Sequence, residues 1–450
     1  MLEAAVLKPD PRLRGMGIAL GRAEMQALLS QRILPRLKPG WQLVEAQVET
    51  MTYVPTKECV ALYRLSLSKP PESIVQRAVI SFADERALLA AYRRYESSER
   101  ARVLVLNEPC CMVEFYPDDW NLPGLARTAR PEDLAIGLAR LGLRAASSPY
   151  GRPSAQLLRY RPHQRSVLLL TVPELDSRPK EQWVAKLYPA AGGADRVFEL
   201  LERLAEPAQK LGLRVPRAIG QLADWGLVLM QRLPGESMKS YLETEDRHRA
   251  RAECLRAVET LIKLHRLPVA EGSAVLCLRD ELRRLQERAA SVEVVAPELA
   301  DQVQALLSKL ERPARTVGPG QLSFVHGEYK PSQLLLSGPA PLAVLDMDDA
   351  GLGDPALDVG NFMAELHRAA VRSKRNELRE LATVFLHEYE TRRPESGLAF
   401  RARIMRCMAL LRMAIRSFQR NPSSFRSRGS ACRVGQLLAE AAGCIQELRL

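Results

Sequence analysis

With 450 residues and 46% hydrophobic content, the chain can bury a substantial core spread over two or three domains. Its net charge of +12 allows an anionic partner, but no RNA-binding or helix-turn-helix signature and no interleaving of aromatic with basic residues accompanies that charge, so nucleic acid is not expected. No apolar run reaches membrane-spanning length, the opening MLEAAVLKPDPRLRGMG lacks a signal-peptide core, and the eight cysteines (59, 110, 111, 254, 277, 407, 432 and 444) show no CxxC spacing. The expectation is a cytoplasmic protein without membrane contact, disulfides or zinc.

In chain order, residues 1–20 form a loose lead-in, and Gly21 to Leu37 carries apolar residues at helical spacing. Alternation at Val44, Ala46 and Val48 predicts a strand, followed by strands over 53–67 and Gln76 to Phe82 and a helix over Glu85 to Tyr95. Two short strands follow, Val103 to Leu106 and Met112 to Phe115, and then a helix over Pro131 to Leu143. A similar order recurs downstream. RYRPHQRSVLLLTV (159–172) aligns with TYVPTKECVALYRL (52–65), Tyr160 matching Tyr53, Pro162 matching Pro55 and Val167 matching Val60. WVAKLYP (183–189), a helix over Arg196 to Leu211 and GLVLMQRLPGES (226–237) complete the second copy. We read this as a duplication, with residues 1–150 a degenerate copy of the β-rich unit at 151–235. The first copy has no lysine at the VAK position, where Ser81 lies nearby.

From Arg249 onward the pattern is helical, interrupted by the stretch LSFVHGEYKPSQLLLSGPAPLAVLDMDDAGLGDPALDVG (322–360). Its apolar runs, Leu322 to Val325, Leu334 to Leu336 and Leu342 to Leu345, predict short buried strands. One polar loop leaves the first run with His326, Glu328, Lys330 and Gln333. A second leaves the third run with Asp346, Asp348, Asp349, Asp354 and Asp358. Two such loops held side by side by a strand pair suit Mg²⁺ and a polyphosphate, because Mg²⁺ takes hard oxygen ligands. Helices over 361–372, 376–392, 399–420 and 431–448 close the chain, with a break at 421–430.

HGEYKPSQ followed by VLDMDDAGLGDPALDVG resembles the aminoglycoside phosphotransferase and choline kinase group of small-molecule kinases. That group carries HGDxxxxN, a strand ending in (I/V)D(F/W), and GDPAxDL. The resemblance implies an α+β, bilobal, protein-kinase-like fold: a small lobe at 151–235 and a helical lobe at 236–450, preceded by the degenerate copy. It implies ATP and Mg²⁺ as cofactors and a hydroxyl-bearing small molecule as acceptor. Glu328 takes the place of the base that orients the acceptor hydroxyl, Lys330 that of a charge-neutralising lysine, and His326 that of a loop brace. Asp346, Gln333 and Asp348 take the metal positions. Lys186 matches the strand lysine that reaches the phosphates, with Glu199 preferred over Glu202 as its helix partner. Met230 to Arg232 match the hinge that receives adenine. His265 ends a helix resembling the family's LxxLH and is expected to pack rather than react.

Two residues depart from the family pattern: Glu328 stands where Asp is usual, and Gln333 where Asn is usual. Maltokinase-like members also carry Gln at the second position, which leans the acceptor towards a sugar or polyol. Aminoglycosides fit a basic chain less well, since ammonium groups call for acids. Glu328 also feeds the rival expectation, a nucleotide-binding pseudokinase.

Overall fold

The computed structural model describes residues 7–95, 102–143, 152–173, 181–189, 192–244, 247–269, 275–422 and 433–448. The expected break over 421–430 and Cys432 thus fall largely or wholly outside the described residues; the other seven cysteines are free thiols.

The front unit begins with α1 (Met16–Leu20), α2 (Arg22–Leu28) and α3 (Leu34–Leu37), followed by β1 (Gln42–Val54), β2 (Glu58–Lys69), β3 (Glu72–Ala83), α4 (Glu85–Tyr92), β4 (Val103–Leu106) and β5 (Cys111–Phe115). The strands form one antiparallel sheet in the order β1-β2-β3-β5-β4. The strand expected over 53–67 is instead broken by a hairpin turn at Pro55–Lys57. Nor is the lead-in loose. Leu7, Leu13 and Met16 are buried, and Asp10 accepts hydrogen bonds from Tyr53 Oη at 2.7 Å and Thr56 N at 2.8 Å. This locks the lead-in to the β1–β2 turn.

After α5 (Gly124–Thr128) and α6 (Pro131–Arg140) comes a second unit: β6 (Ser154–Arg161), β7 (Arg165–Val172), β8 (Glu181–Leu187), α7 (Gly193–Lys210), β9 (Ala218–Leu222) and β10 (Leu227–Gln231). Its sheet runs β6-β7-β8-β10-β9, the same path as the first. Both first hairpins close alike, Val54 opposite Glu58 and Arg161 opposite Arg165. Thr56 and His163 hold the left-handed turn position at φ 63 and 61. In register, Val60 faces Ser81 where Val167 faces Lys186. Ser81 is therefore the positional counterpart of Lys186, and its buried Oγ has no partner among the described residues.

α5 and α6 fill the space between the sheets. Leu125, Leu134 and Leu138 share one apolar cluster with Val60, Leu62 and Val79 of the first sheet and with Leu168, Ala185 and Leu187 of the second. The approach is close enough that a Cβ on Gly124 would stand 2.2 Å from the Trp225 carbonyl oxygen, so only glycine fits. The other face of the first sheet joins the C-terminal helices through a core containing Tyr53, Phe82, Leu307 and Phe418.

The remaining chain is β11 (Glu236–Ser237), α8 (Met238–Thr244), α9 (Arg247–Leu264), β12 (Val275–Leu276), α10 (Leu278–Glu293), α11 (Pro297–Thr316), β13 (Ser323–Val325), β14 (Leu334–Leu336), β15 (Ala343–Val344), β16 (Gly351–Gly353), α12 (Ala356–Ser373), α13 (Glu377–Arg392), α14 (Leu398–Arg420) and α15 (Arg433–Gln446). Short strands form where the apolar runs lie, but β13 and β15 belong to different sheets, β12-β16-β13 and β11-β14-β15. The antiparallel pair β14–β15, with Leu334 opposite Val344, holds the end of the first polar loop against the start of the second. Cross-loop hydrogen bonds add to this, from His326 Nε2 to the Leu345 carbonyl at 2.8 Å and from Leu345 N to the Gln333 carbonyl at 2.8 Å. No helix among the described residues is long and apolar enough to cross a membrane.

Candidate active site

The loop after β13 is pinned from below by Asp358, a fully buried carboxylate on α12. It accepts from His326 N at 2.6 Å, from Gly327 N at 2.9 Å and from His265 Nε2 at 3.1 Å. Asp358 thus ties the loop to α12, while Asp354 accepts from Ala356 N at 2.9 Å where α12 begins. Gly327 sits at φ 79, and a Cβ there would meet the Asp349 carbonyl oxygen at 2.4 Å. His326 is buried, with Nε2 on a carbonyl and Nδ1 receiving Glu328 N at 3.3 Å. Both ring nitrogens are engaged, so His326 braces the loop. His265 lies between Asp358 and Tyr389 Oη, in a packing role, with its pKa lowered by burial against the pull of Asp358.

Glu328 projects from this loop, half-buried, 2.5 Å from Lys330 Nζ and 3.5 Å from Arg416 Nη1. Burial alone would raise its carboxyl, but Lys330, Arg416 and Arg412 outweigh that and hold it at about 2. A group so acidic is a weak base, better suited to orienting a hydroxyl than to taking its proton early in a transfer. Because the folded pKa lies below the unfolded value near ~4.3, the stability contributed by this ionisation is complete above that value and is lost as pH falls towards 2. Activity is therefore expected to show no acid limb from Glu328 between pH ~5 and 8, and a pH–rate profile checks this.

Asp346 occupies the left-handed region at φ 65, a conformation ordinary residues rarely take and one that concentrates at functional sites. Around it converge Lys186 Nζ at 2.6 Å, Arg165 Nη1 at 2.9 Å and Gln333 Nε2 at 2.7 Å. Asp348 joins the cluster, 2.8 Å from Lys186 Nζ, 2.5 Å from Arg165 Nη1 and 3.0 Å from Tyr188 Oη. Burial would raise the Asp346 carboxyl; Lys186 and Arg165 instead push it well below the carboxylate range.

Glu199 does not pair with Lys186. It is exposed, as is Glu202, and the lysine is held by Asp346 and Asp348. The face of α7 towards the cleft carries Arg196, Leu200 and Arg203 instead of an acid. Met230 is buried in the second unit's sheet opposite Val184, and Arg232 points outward to Gln182. Arg165 reaches the Asp346 and Asp348 carboxylates from the hairpin that covers the cleft. That hairpin is gripped by the front unit. Asp119 accepts from His163 N at 2.8 Å and Tyr160 Oη at 2.8 Å, and Glu114 meets His163 Nε2 at 2.7 Å. Burial is the largest influence on the His163 pKa and lowers it, but Glu114, Asp119 and Glu58 together outweigh it, so the net shift is upward.

A cavity of about 680 Å³ opens beside Glu328 and Asp349, walled by α7, α10 and α14. Sequence reading named none of its arginines. The available signal was arginine repeating every four residues on predicted helices, at 284 and 288 and at 412, 416 and 420.

A family model, described as the phosphotransferase enzyme family (APH), matches residues 167–399. The chain belongs to this family. The phosphotransferase match begins within β7, spans the rest of the second unit, both site loops and α12 and α13, and leaves the front unit and β6 outside. No curated protein sequence matches. Among solved structures, the phosphotransferase chain is similar to choline kinase from Cryptosporidium parvum Iowa II, with 12% identity, a TM-score of 0.50, and coverage of 71% of this chain and 97% of that one. It is also similar to macrolide 2'-phosphotransferase MphH from Brachybacterium faecium, at 20% identity, a TM-score of 0.42, and coverage of 69% and 97%. For aminoglycoside phosphotransferase APH(4)-Ia the values are 14%, 0.46, 70% and 98%. The choline kinase likeness gives the fold: protein-kinase-like, a sheet lobe on a helical lobe.

Proposed function

We propose that this phosphotransferase moves the γ-phosphoryl group of ATP to a hydroxyl of a small molecule. The observation that carries the reading is the convergence of Lys186, Gln333, Asp346 and Asp348 on one side of the interlobe cleft, with Glu328 on the adjoining loop. The donor set fits Mg²⁺, since two carboxylates and an amide supply hard oxygens and Lys186 and Arg165 now balance their charge. Bound there, Mg²⁺ would neutralise phosphate charge, with Asp346 and Gln333 as its holders and Asp348 as a further contact. Lys186 is placed to release Asp346 and meet the phosphates. In the transfer, the acceptor oxygen bonds to the γ-phosphorus and the bond from that phosphorus to the β–γ bridging oxygen breaks. ADP leaves with the electron pair, and the hydroxyl proton passes to Glu328 or to solvent. Lys330 lies beside the developing charge.

On the sequence argument from Gln333, the acceptor belongs with sugars and polyols, and the chain is read as cytoplasmic. The front unit, with the same strand path and Ser81 in place of Lys186, is read as a degenerate second copy of the small lobe. It works by holding the hairpin over the cleft rather than by binding nucleotide.

The test is Mg²⁺-dependent ADP release with a panel of hydroxylated acceptors. Wild type and Glu328→Asp should both turn over, within about tenfold of each other, while Glu328→Ala should lose on the order of 10²-fold or more. Equal rates in all three would remove Glu328 from the chemistry. A rival reading, nucleotide binding without turnover, draws on Arg165, whose guanidinium takes carboxylate oxygens that a metal needs. Its result would be Mg·ATP binding with no acceptor-dependent ADP release.

A further inference from the structure

The cavity beside Glu328 lies on the acceptor side of the cleft. Gly327, Glu328 and Asp349 line it, whereas Lys186, Gln333 and Asp346 do not. Its charged lining is lopsided: Arg196, Arg203, Arg284, Arg288, Arg412 and Arg416 against Glu281, Glu328 and Asp349, six cations to three acids. Two of those acids are already satisfied. Glu281 binds Arg412 at 2.8 Å and Arg284 at 3.0 Å, and Glu328 binds Lys330. Arg416 shares Glu328 at 3.5 Å and Arg196 donates to the Ala350 carbonyl at 3.2 Å, which leaves two of the six arginines unpaired. Arg288 and Arg203 make no side-chain hydrogen bond or ion pair among the described residues, and the buried Nε of Arg412 has none either.

The arrangement is costly for an empty pocket. Arg284 and Arg288 on α10, and Arg412 and Arg416 on α14, are like charges four residues apart, which destabilise a helix. The two pairs line one cavity. Burial and the neighbouring Arg416 and Arg412 lower the Arg288 pKa, the direction expected of a cation crowded by cations. Arg412 also ties the cavity wall to the catalytic loop. It donates to Asn361 Oδ1 at 2.7 Å, and Asn361 Nδ2 donates to the Gly327 carbonyl at 3.0 Å. Guanidinium groups from separate helices converging on one space suit an oxyanion, which accepts several forked hydrogen bonds. The apolar remainder of the lining, including Leu285, Phe324 and Met408, leaves room for a carbon skeleton.

We infer that the pocket takes an anionic acceptor: a hydroxyl compound that already carries a phosphate or carboxylate group, received by Arg288 and its neighbours on α10 and α14. The inference rests on the phosphotransferase reading for the identity of the pocket, and it narrows the acceptor from sugars and polyols in general to their acidic derivatives. A cationic acceptor, by contrast, would enter this cavity against the field.

The experiment has two arms. In the first, calorimetric titration without nucleotide compares glucose 6-phosphate, ribose 5-phosphate and glucuronate with glucose and ribose. The expected result is that an acidic member binds at least tenfold tighter than its neutral parent, and that Arg288→Glu removes the difference. Phosphate and carboxylate members separate the two oxyanions. In the second arm, ADP release is measured with the same compounds, and kcat/KM should follow the same order. Mg·ATP-induced thermal stabilisation should be the same in Arg288→Glu as in wild type, and Arg288→Gln repeats the comparison if the charge reversal impairs folding. Neutral parents that bind or react as well as the acidic forms, or discrimination that survives both Arg288 variants, overturn the inference while leaving the kinase reading intact. Arg288-dependent anion binding in a protein that never responds to Mg·ATP supports the pocket assignment and removes the kinase reading.

Discussion

Asp346→Asn should reduce phosphoryl transfer by at least ~10²-fold with the fold retained, the scale seen when one preorganised electrostatic contact to a reacting centre is removed. The substitution keeps the shape of the side chain and its left-handed backbone, which Asn tolerates as well as Asp. What it removes is the negative charge on which Lys186, Arg165 and Gln333 converge. Lys186 retains Asp348 at 2.8 Å, so it is not stranded. Stability should therefore fall far less than activity. Steady-state kinetics with Mg²⁺ varied at fixed ATP separates the two effects, because the loss should appear as a weakened response to Mg²⁺ as well as a lower kcat. A thermal melt of the same protein controls for folding.

Asp358→Ala should produce the largest stability loss of any single substitution at the site. The carboxylate is fully buried and takes two backbone N–H groups and the His265 ring. Its removal leaves these three donors without an acceptor in a place water does not reach. Breaking such a buried charged arrangement costs about 3–5 kcal/mol, which corresponds to a fall in Tm of roughly 10 °C for a domain of this size. Activity should fall with it, since the two amides belong to the turn that aims Glu328. Asp358→Asn keeps one acceptor oxygen and should give an intermediate loss. A melting temperature for Asp358→Ala within two degrees of wild type would mean that the turn is held by something else.

Parts of this architecture could be read from local sequence because the physics that sets them is local. The apolar runs around 323–325, 334–336 and 343–344 become strands, and polar residues emerge where those runs stop. The hairpin at Tyr160–Val167 resembles that at Tyr53–Val60 because a proline and a left-handed residue impose the same three-residue turn on both. Which strands pair was not legible. β13 meets β16 and β14 meets β15, pairings that runs of two or three apolar residues do not specify by themselves. The lysine's partner was misread for a related reason. Helical spacing puts Glu199 on α7, but the face of α7 towards the cleft is set by the burial of Val197, Leu201 and Leu204, and this turns Glu199 to solvent. The partners of Arg165 and of the pocket arginines were not legible because an arginine on a predicted turn or helix looks the same whether it meets water or a site distant in sequence. Only the folded chain brings Arg165 to Asp346 across the lobes and Arg416 to Glu328 within the helical lobe.

The measurement that tests the account most directly is calorimetric titration of the full chain with Mg·ATP, set beside the same titration of Asp346→Asn and of Lys186→Ala. The account predicts one nucleotide per chain for wild type, dependent on Mg²⁺, with binding weakened at least tenfold in both variants. Equal binding by all three proteins, or no binding by folded wild type, would contradict the assignment of this cleft as the nucleotide and metal site.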